Sequence, residues 1–343
     1  MRRFKRGLVT GTLAVAVIAG TGGWGAGTQQ EAVTGPPPGS AAWRADVSLG
    51  RGLPDPARAS PKQVAAFFAG LSGAQRQSLA ERHPMVVGNL DGAPVRLRYR
   101  ANARSYAEHY GRALEPGRQL LAFDPRGRGQ LVEVYGDVEH AERTAVFVPG
   151  SDNDLAGHRT ATEAAGNLRR RMVRDAPGVR TATVAWVGYT TPVGVGIDAA
   201  TSRLAEAGAP RLERFLQGLA ATTGAAAPSV FCHSYGSVVC GALGGGADLS
   251  GMVFLGSPGA GVKDVKGLKT KARVWAAAVN DSDWIDSVPH VQVLGLGHGT
   301  SPADPEFGAR VVTADRAEGH AGYFKPGTDS LANFSAIALG RDR

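Results

Sequence analysis

In the second half of the chain, short apolar runs alternate with predicted helices at residues 158–173 and 200–222. The runs are rich in β-branched and aromatic residues and have the length of buried strands. They occupy residues 144–148, 181–187, 229–233, 251–255, 273–279 and 309–313. Because strands that alternate with helices form a parallel sheet covered on both faces, this pattern predicts an α/β fold.

Two further apolar runs, 119–123 and 131–135, precede these strands. The residues between them, Asp124-Pro125-Arg126-Gly127-Arg128-Gly129, are typical of a turn. The pattern therefore predicts an antiparallel hairpin ahead of the parallel strands, and we expect one sheet domain over residues 119–343.

The segment before the sheet divides into two parts. Residues 28–60 are rich in Gly, Pro and Ala without periodicity, which predicts a flexible linker. Residues 61–118 contain helical patterns, and Ser60 and Gln63 have the spacing of a capping box at the first of them. We therefore expect an N-terminal helical segment over 61–118.

The first 27 residues have the pattern of a targeting segment. Arginine and lysine precede a short apolar run at 8–19. Two interpretations remain open, a cleaved signal peptide and an uncleaved N-terminal anchor. The sequence thus predicts a secreted protein, or one anchored to the membrane by this segment.

The composition indicates a folded chain with a basic surface. Hydrophobic residues make up 43% and charged residues 20% of the 343 residues, and the net charge is +8. The arginines are scattered and do not form a stripe with aromatic neighbours, so we expect no nucleic-acid partner. A basic surface favours association with anionic cell envelopes, and we expect a monomer.

The segment 229–241 carries the candidate nucleophile. A strand pattern leads into His233-Ser234-Tyr235-Gly236 and a helix-compatible run follows, as in a nucleophile elbow with Ser234 at the corner. The usual pattern is G-x-S-x-G, and Cys232 stands at its first position. Because an exported protein meets oxidising conditions, Cys232 and Cys240 are either a disulfide or two small buried residues.

A nucleophilic serine needs a base to take its proton and a carboxylate to orient that base. Asp283 follows a predicted strand and is the expected acid, with Asp281 as the alternative. His320, in a Gly-flanked loop before the last helix, is the expected base, with His298 as the alternative. Acid and base thus follow Ser234 in the chain order that such sites show.

Backbone N–H groups are expected to stabilise the oxyanion of the transition state. Tyr235 supplies the first by its position after the nucleophile, and Ser151 or Asp152, in the turn after strand 144–148, supplies the second. No H-E-x-x-H pair occurs in the sequence. We therefore expect no metal and no cofactor.

The chain resembles the α/β-hydrolase-like proteins called "domain of unknown function 1023". The similar segments cover roughly residues 60 to 340 and are His83-Pro84, Gly88-Asn89-Leu90-Asp91-Gly92, Leu121-Ala122-Phe123-Asp124, Val148-Pro149-Gly150, Trp186-Val187-Gly188-Tyr189, His233-Ser234-Tyr235-Gly236-Ser237, Gly256-Ser257-Pro258-Gly259, His298-Gly299-Thr300, Asp304-Pro305, Phe307-Gly308 and 320–324. The resemblance implies an α/β-hydrolase fold, a mostly parallel sheet with helices on both faces, and a Ser-Asp-His site. This chain departs from the family pattern at Cys232 and Trp284.

Together these features predict an exported serine hydrolase that cleaves an ester, such as one of a lipid or a cell-envelope component. Acyl transfer and peptide hydrolysis use the same residues, so an acyltransferase or a peptidase remains open. The alternative from another class is a hydrolase-fold binding protein with an inactive site.

Overall fold

A computed structural model describes residues 29–277, 282–288 and 290–341. The apolar runs form one eight-stranded sheet. Its strands are β1 (Gln119–Asp124), β2 (Gln130–Tyr135), β3 (Arg143–Val148), β4 (Thr181–Val187), β5 (Ser229–His233), β6 (Gly251–Leu255), β7 (Arg273–Ala277) and β8 (Arg310–Val312).

The strands lie in the order β1-β2-β4-β3-β5-β6-β7-β8. β2 runs antiparallel to both of its neighbours, and every other neighbouring pair is parallel. The predicted hairpin is therefore present ahead of a parallel body. This strand order is that of the α/β-hydrolase fold, and the predicted fold class is confirmed.

The carboxyl ends of β3, β5 and β6 lie side by side. Val148 is the register partner of Cys232, and His233 is the partner of Leu255. Every residue of β5 and β6 is buried, which explains why these strands are continuous apolar runs without alternation. The loops that follow the three strands meet at one edge of the sheet, where sites of α/β proteins form.

Helices cover both faces of the sheet. In chain order they are α1 (Ser40–Ala45), α2 (Pro61–Ala69), α3 (Gly73–Arg82), α4 (Pro84–Gly88), α5 (Val95–Tyr110), α6 (Arg159–Asp175), α7 (Ile197–Ala200), α8 (Arg203–Thr222), α9 (Gly236–Gly241) and α10 (Asp329–Ala338). Phe231 of β5 packs in a core cluster with α6 and α10, while its neighbour Val230 packs with α8 and α9. Successive strand residues thus fill two cores on opposite faces.

Helices α2 to α5 form the expected N-terminal helical segment. Their apolar side chains share a cluster that includes Val64, Phe68 and Leu79. The predicted capping box is present, because Ser60 accepts a hydrogen bond from the N–H of Gln63 and the Gln63 side chain accepts one from the N–H of Ser60. α4 is a short helix that the sequence pattern did not predict.

Residues 40–60 pack against this segment and residues 30–34 contact the sheet domain, so the expectation of a flexible linker over 28–60 was wrong for the described residues. α1 places Trp43 fully inside the cluster, and the indole N–H donates to the carbonyl of Pro54 at 2.8 Å. Asp46 pairs with Arg82 and His83 of the helical segment. The Gly- and Pro-rich composition does not reveal this packing, because it depends on a few side chains such as Trp43 and Asp46.

Two predictions fall outside the described residues. The targeting segment 1–27 is one of them, and the alternative acid Asp281 is the other. In the ranges that the structure does describe, no helix is both long enough and apolar enough to cross a membrane.

Candidate active site

Ser234 lies at the sharp turn between β5 and α9. Its φ is 54°, in the left-handed region that a residue with a side chain adopts only when its surroundings hold it there. The Ser234 N–H donates to the carbonyl of Leu255 at 3.0 Å, which ties the turn to the end of β6. The predicted elbow is thus present.

Gly236 explains why the second glycine of the pattern is needed. A Cβ at this position would lie 2.3 Å from the carbonyl oxygen of Val148, at the end of the neighbouring strand β3. Any side chain here would push α9 away from β3 and open the turn that holds Ser234.

Cys232, at the position where the pattern has its first glycine, forms a disulfide with Cys240. The two Cα atoms are 6.3 Å apart, and both side chains are fully buried. Of the two possibilities that the sequence left open, the structure has the disulfide. It joins the strand before the turn to the helix after it.

Asp283 and His320 are brought together although 37 positions separate them. The His320 Nδ1 atom lies 2.8 Å from Oδ1 of Asp283, which is 3% exposed. The Asp283 carboxylate also accepts hydrogen bonds from the Tyr323 hydroxyl at 2.7 Å and from the N–H of Ile285 at 3.0 Å. These contacts fix the carboxylate against the ring.

Burial alone would raise the pKa of Asp283. The hydrogen bonds from His320, from the N–H of Ile285 and from Tyr323 outweigh it, and they leave the pKa below its usual value. Asp283 is therefore ionised at neutral pH and holds a proton on Nδ1 of His320. In turn, burial and the carboxylate raise the pKa of Tyr323, which stays a donor.

The other ring nitrogen of His320, Nε2, is buried and has no hydrogen-bond partner among the described residues. The ring lies over the end of β6, because a Cβ on Gly256 would be 3.0 Å from its Cε1 atom. Gly256 follows Leu255, whose carbonyl binds the N–H of Ser234. Ser234 and His320 therefore lie near the same strand end, the end of β6.

Two aromatic rings flank the His320 ring. Trp284 lies at a ring-centroid distance of 4.8 Å and His233 at 4.6 Å. Nε2 of His233 lies 2.7 Å from the backbone carbonyl of His320, so that nitrogen carries the hydrogen and donates it. Burial, followed by the proximity of His320, lowers the pKa of His233 to about 3 and keeps its ring neutral.

The sequence marks His233 only by its place beside Ser234. It gave no role to Tyr323 and none to the Trp284 ring. Both lie within a few positions of His320 or Asp283, yet their contacts depend on how two loops meet, and no spacing rule predicts that.

The turn after β3 brings backbone donors to Ser234. A Cβ on Gly150 would lie 2.8 Å from the Tyr235 nitrogen and 2.9 Å from Oγ of Ser234, so only glycine allows this approach. Among the described residues, the N–H groups of Tyr235 and Ser151 have no acceptor. The Asp152 N–H instead donates to the carbonyl of Pro192, which leaves Ser151 as the expected second donor.

The alternative base is engaged elsewhere. Nε2 of His298 lies 2.7 Å from the carbonyl of Ala199, and the ring packs edge-on against Tyr235. Burial lowers the pKa of His298. Asp281 lies outside the described residues, and within them no three His, Cys, Asp or Glu side chains form a group that could hold a metal ion.

A match to a known protein family agrees with this fold. A family described as "Alpha/beta hydrolase" matches residues 124–293. This range includes Ser234 and Asp283 and ends before His320. The narrower assignment to domain of unknown function 1023 stays a prediction.

Two curated relatives are uncharacterized proteins of Mycobacterium tuberculosis, one each from strains CDC 1551 and H37Rv. Each is 26% identical over 374 aligned positions, which cover 84% of this chain and 57% of the relative. The chain therefore spans little more than half the length of these relatives.

Similar solved structures include a dienelactone hydrolase from Anabaena variabilis, with a TM-score of 0.39 and 14% identity over 62% of this chain and 90% of that one. Another is an α/β serine hydrolase without a lid from Xanthomonas campestris, with a TM-score of 0.38 and 16% identity over 66% of this chain and 94% of that one. Likenesses at these scores carry no argument about this chain.

Proposed function

We propose that the protein is a serine hydrolase that cleaves carboxylic esters through an acyl-enzyme. Ser234 is the nucleophile, His320 the base and Asp283 the acid that orients it. The observation that carries the proposal is the His320 ring, held through Nδ1 by Asp283 while its buried Nε2 has no partner at the strand end where Ser234 sits.

In the first half-reaction, Oγ of Ser234 attacks the ester carbonyl and passes its proton to Nε2 of His320. The N–H groups of Tyr235 and Ser151 bind the oxyanion of the tetrahedral intermediate. The intermediate collapses as the C–O bond to the alcohol breaks and Nε2 returns the proton to the leaving oxygen. The acyl group is then bonded to Oγ of Ser234.

In the second half-reaction, water takes the place of the alcohol. Nε2 of His320 accepts a proton from the water as its oxygen attacks the acyl carbonyl. The second tetrahedral intermediate breaks the bond to Ser234, and the proton goes to its Oγ. Asp283 stabilises the imidazolium in both halves without taking the proton itself.

The ester that we propose belongs to a lipid or another cell-envelope component, and the enzyme acts as a monomer that is secreted or anchored by its N-terminal segment. The apolar run at 8–19 and the net charge of +8 support this location. The mechanism needs neither a metal nor a cofactor.

The test is covalent labelling with a fluorophosphonate, which reacts with an activated serine. We expect stoichiometric labelling of the full chain and none of the Ser234→Ala variant. Ser237→Ala is the matched control, because the Ser237 hydroxyl is buried and donates to the carbonyl of Cys232. Absence of labelling in the folded protein would establish the alternative, a binding protein with an inactive site.

A further inference from the structure

Large apolar side chains are exposed mainly in one region. The described part of the chain exposes eleven large hydrophobic side chains, and four of them, Val47, Tyr110, Val173 and Val311, are dispersed along the sequence. The other seven lie within residues 193–197 and 284–294, and we call them the apolar rim: Val193, Val195, Ile197, Trp284, Val291, Val293 and Leu294. Leu294, at 98%, is the most exposed of these side chains.

The two segments of the apolar rim are also nearly free of charge. Residues 188–197 contain no Asp, Glu, Lys or Arg, and residues 284–303 contain only Asp286, although one residue in five of the whole chain is charged. Removing water from a surface with little fixed charge costs little free energy, because few charged groups lose their hydration. Removing water from exposed apolar area is favourable. This region is therefore suited to an apolar partner.

Both segments border the candidate active site. The N–H of Gly194 donates to Oδ1 of Asp152 at 2.9 Å, next to the expected oxyanion donor. The N–H of Gly297 donates to the carbonyl of Ala200 at 2.8 Å, which joins the second segment to the end of the first. Trp284 packs on the ring of His320. The apolar rim thus adjoins the candidate active site.

The described chain begins beside the same region. The N–H of Gln30 donates to Oδ2 of Asp198 at 2.6 Å, and Asp198 follows Ile197 of the apolar rim. Arg203 binds the carbonyl of Gln30. The predicted targeting segment has its apolar run at 8–19, so residues 20–29 form the connection, which spans at most about 35 Å. A membrane that holds this run therefore lies within about 35 Å of the point where the described chain starts, beside the apolar rim.

We propose that the apolar rim docks on the surface of a lipid bilayer and places the approach to Ser234 against the lipid. Its apolar side chains enter the outermost acyl region, as exposed apolar groups of peripheral proteins do. That the docked enzyme takes its ester substrate from the lipid phase rests on the proposed function. The docking itself needs no catalysis.

The experiment is flotation of the full chain with phosphatidylcholine vesicles, in the Ser234→Ala background so that turnover plays no part. Leu294→Asn removes the most exposed side chain of the apolar rim. Asparagine accepts the positive φ of 52° at this position, so the loop keeps its shape. We expect vesicle affinity to fall about tenfold, because a leucine side chain no longer enters the apolar phase.

Val47→Asn is the matched control. Val47 is 79% exposed and lies outside the apolar rim, so its replacement should leave vesicle affinity unchanged. Equal loss in both variants, or no loss in either, would overturn the proposal. So would a dimer that Leu294→Asn dissociates in a chain that does not bind vesicles, since the rim would then face a second copy.

A second measurement separates the apolar rim from binding by the N-terminal segment. Trp43, Trp186 and Trp275 are buried, and Trp284 is exposed. A Trp24→Phe substitution removes the remaining tryptophan, so that a change in fluorescence on vesicle binding reports on Trp284. Vesicles with brominated acyl chains should quench its fluorescence, and Trp284→Phe should remove the quenched component. Vesicle binding without quenching of Trp284 would show that the N-terminal segment alone makes the contact.

The two proposals fail separately. Vesicle binding through the apolar rim by a protein that fluorophosphonate does not label would leave the docking inference standing and remove the serine hydrolase. Fluorophosphonate labelling of a protein whose vesicle binding does not depend on the apolar rim would leave the serine hydrolase standing and remove the docking inference.

Discussion

At the scale of single residues, Asp283 is the most constrained member of the candidate site. One oxygen faces His320 and the N–H of Ile285, and the other accepts from Tyr323. A carboxylate with this many donors keeps its charge and its position, which is what orienting a histidine requires.

Asp283→Asn should lower kcat by about 10³- to 10⁴-fold on a soluble ester, since the amide no longer fixes the proton on Nδ1 of His320. Asp281→Asn is the control and should retain most of the activity. Rates of chromogenic ester hydrolysis give both numbers. If Asp281→Asn shows the large loss and Asp283→Asn does not, the acid is Asp281.

Tyr323→Phe removes one hydrogen bond from the Asp283 carboxylate and leaves the ring in place. We expect about a tenfold loss of kcat, the order of one hydrogen bond to a charged group. The same substitution in an Asp283→Asn background should cost almost nothing more, because the two residues act through one contact. Additive losses would mean that Tyr323 acts on something other than Asp283.

At the scale of elements, the site depends on how β5, the turn at Ser234 and α9 are joined. The Cys232–Cys240 disulfide connects the strand to the helix across a positive φ that is costly for serine. Gly150 and Gly236 allow the turn after β3 and the start of α9 to come within contact of this unit. Ser234 is therefore held by three elements and a covalent bond.

Replacing both cysteines by alanine should lower the free energy of unfolding by about 2–3 kcal/mol, the value expected from chain entropy for so short a loop. Thermal and urea unfolding of the folded protein would measure it. A thiol count on the exported, unreduced wild-type protein should find no free thiol. Two free thiols per chain would show that the cysteines are merely small buried residues.

At the scale of the whole molecule, the stability should depend on pH through His233. Its folded pKa is about 3, against an ordinary value of 6.5, so the unfolded chain binds more protons between these values. Stability is therefore full above about pH 6.5 and is lost as the pH falls toward 3. The lowered pKa of Asp283 acts in the same direction at the acid end.

Urea unfolding at several pH values would measure this effect, with a slope of up to about 1.4 kcal/mol per pH unit from one proton. His233→Asn should flatten the slope between pH 6 and 4, because the ring that takes up a proton on unfolding is gone. An unchanged slope in His233→Asn would assign the pH dependence to other groups.

The sequence by itself determined the fold class and the candidate residues. Continuous apolar runs are the signature of strands buried on both faces, and the elbow pattern marks Ser234 by local chemistry alone. Chain order then limited the acid to Asp283 or Asp281 and the base to His320 or His298. These features are local or periodic, so they can be recognised in the amino-acid sequence.

The tertiary structure decided the contacts between distant segments. The bonds from Tyr323 to Asp283 and from His233 to His320, the disulfide and the packing of Trp43 all join positions whose proximity no local pattern encodes. The same holds for the apolar rim, because the exposure of its side chains and the contact between its two loops are known only from the fold. Burial and distance are properties of the folded chain, and only the fold assigns them.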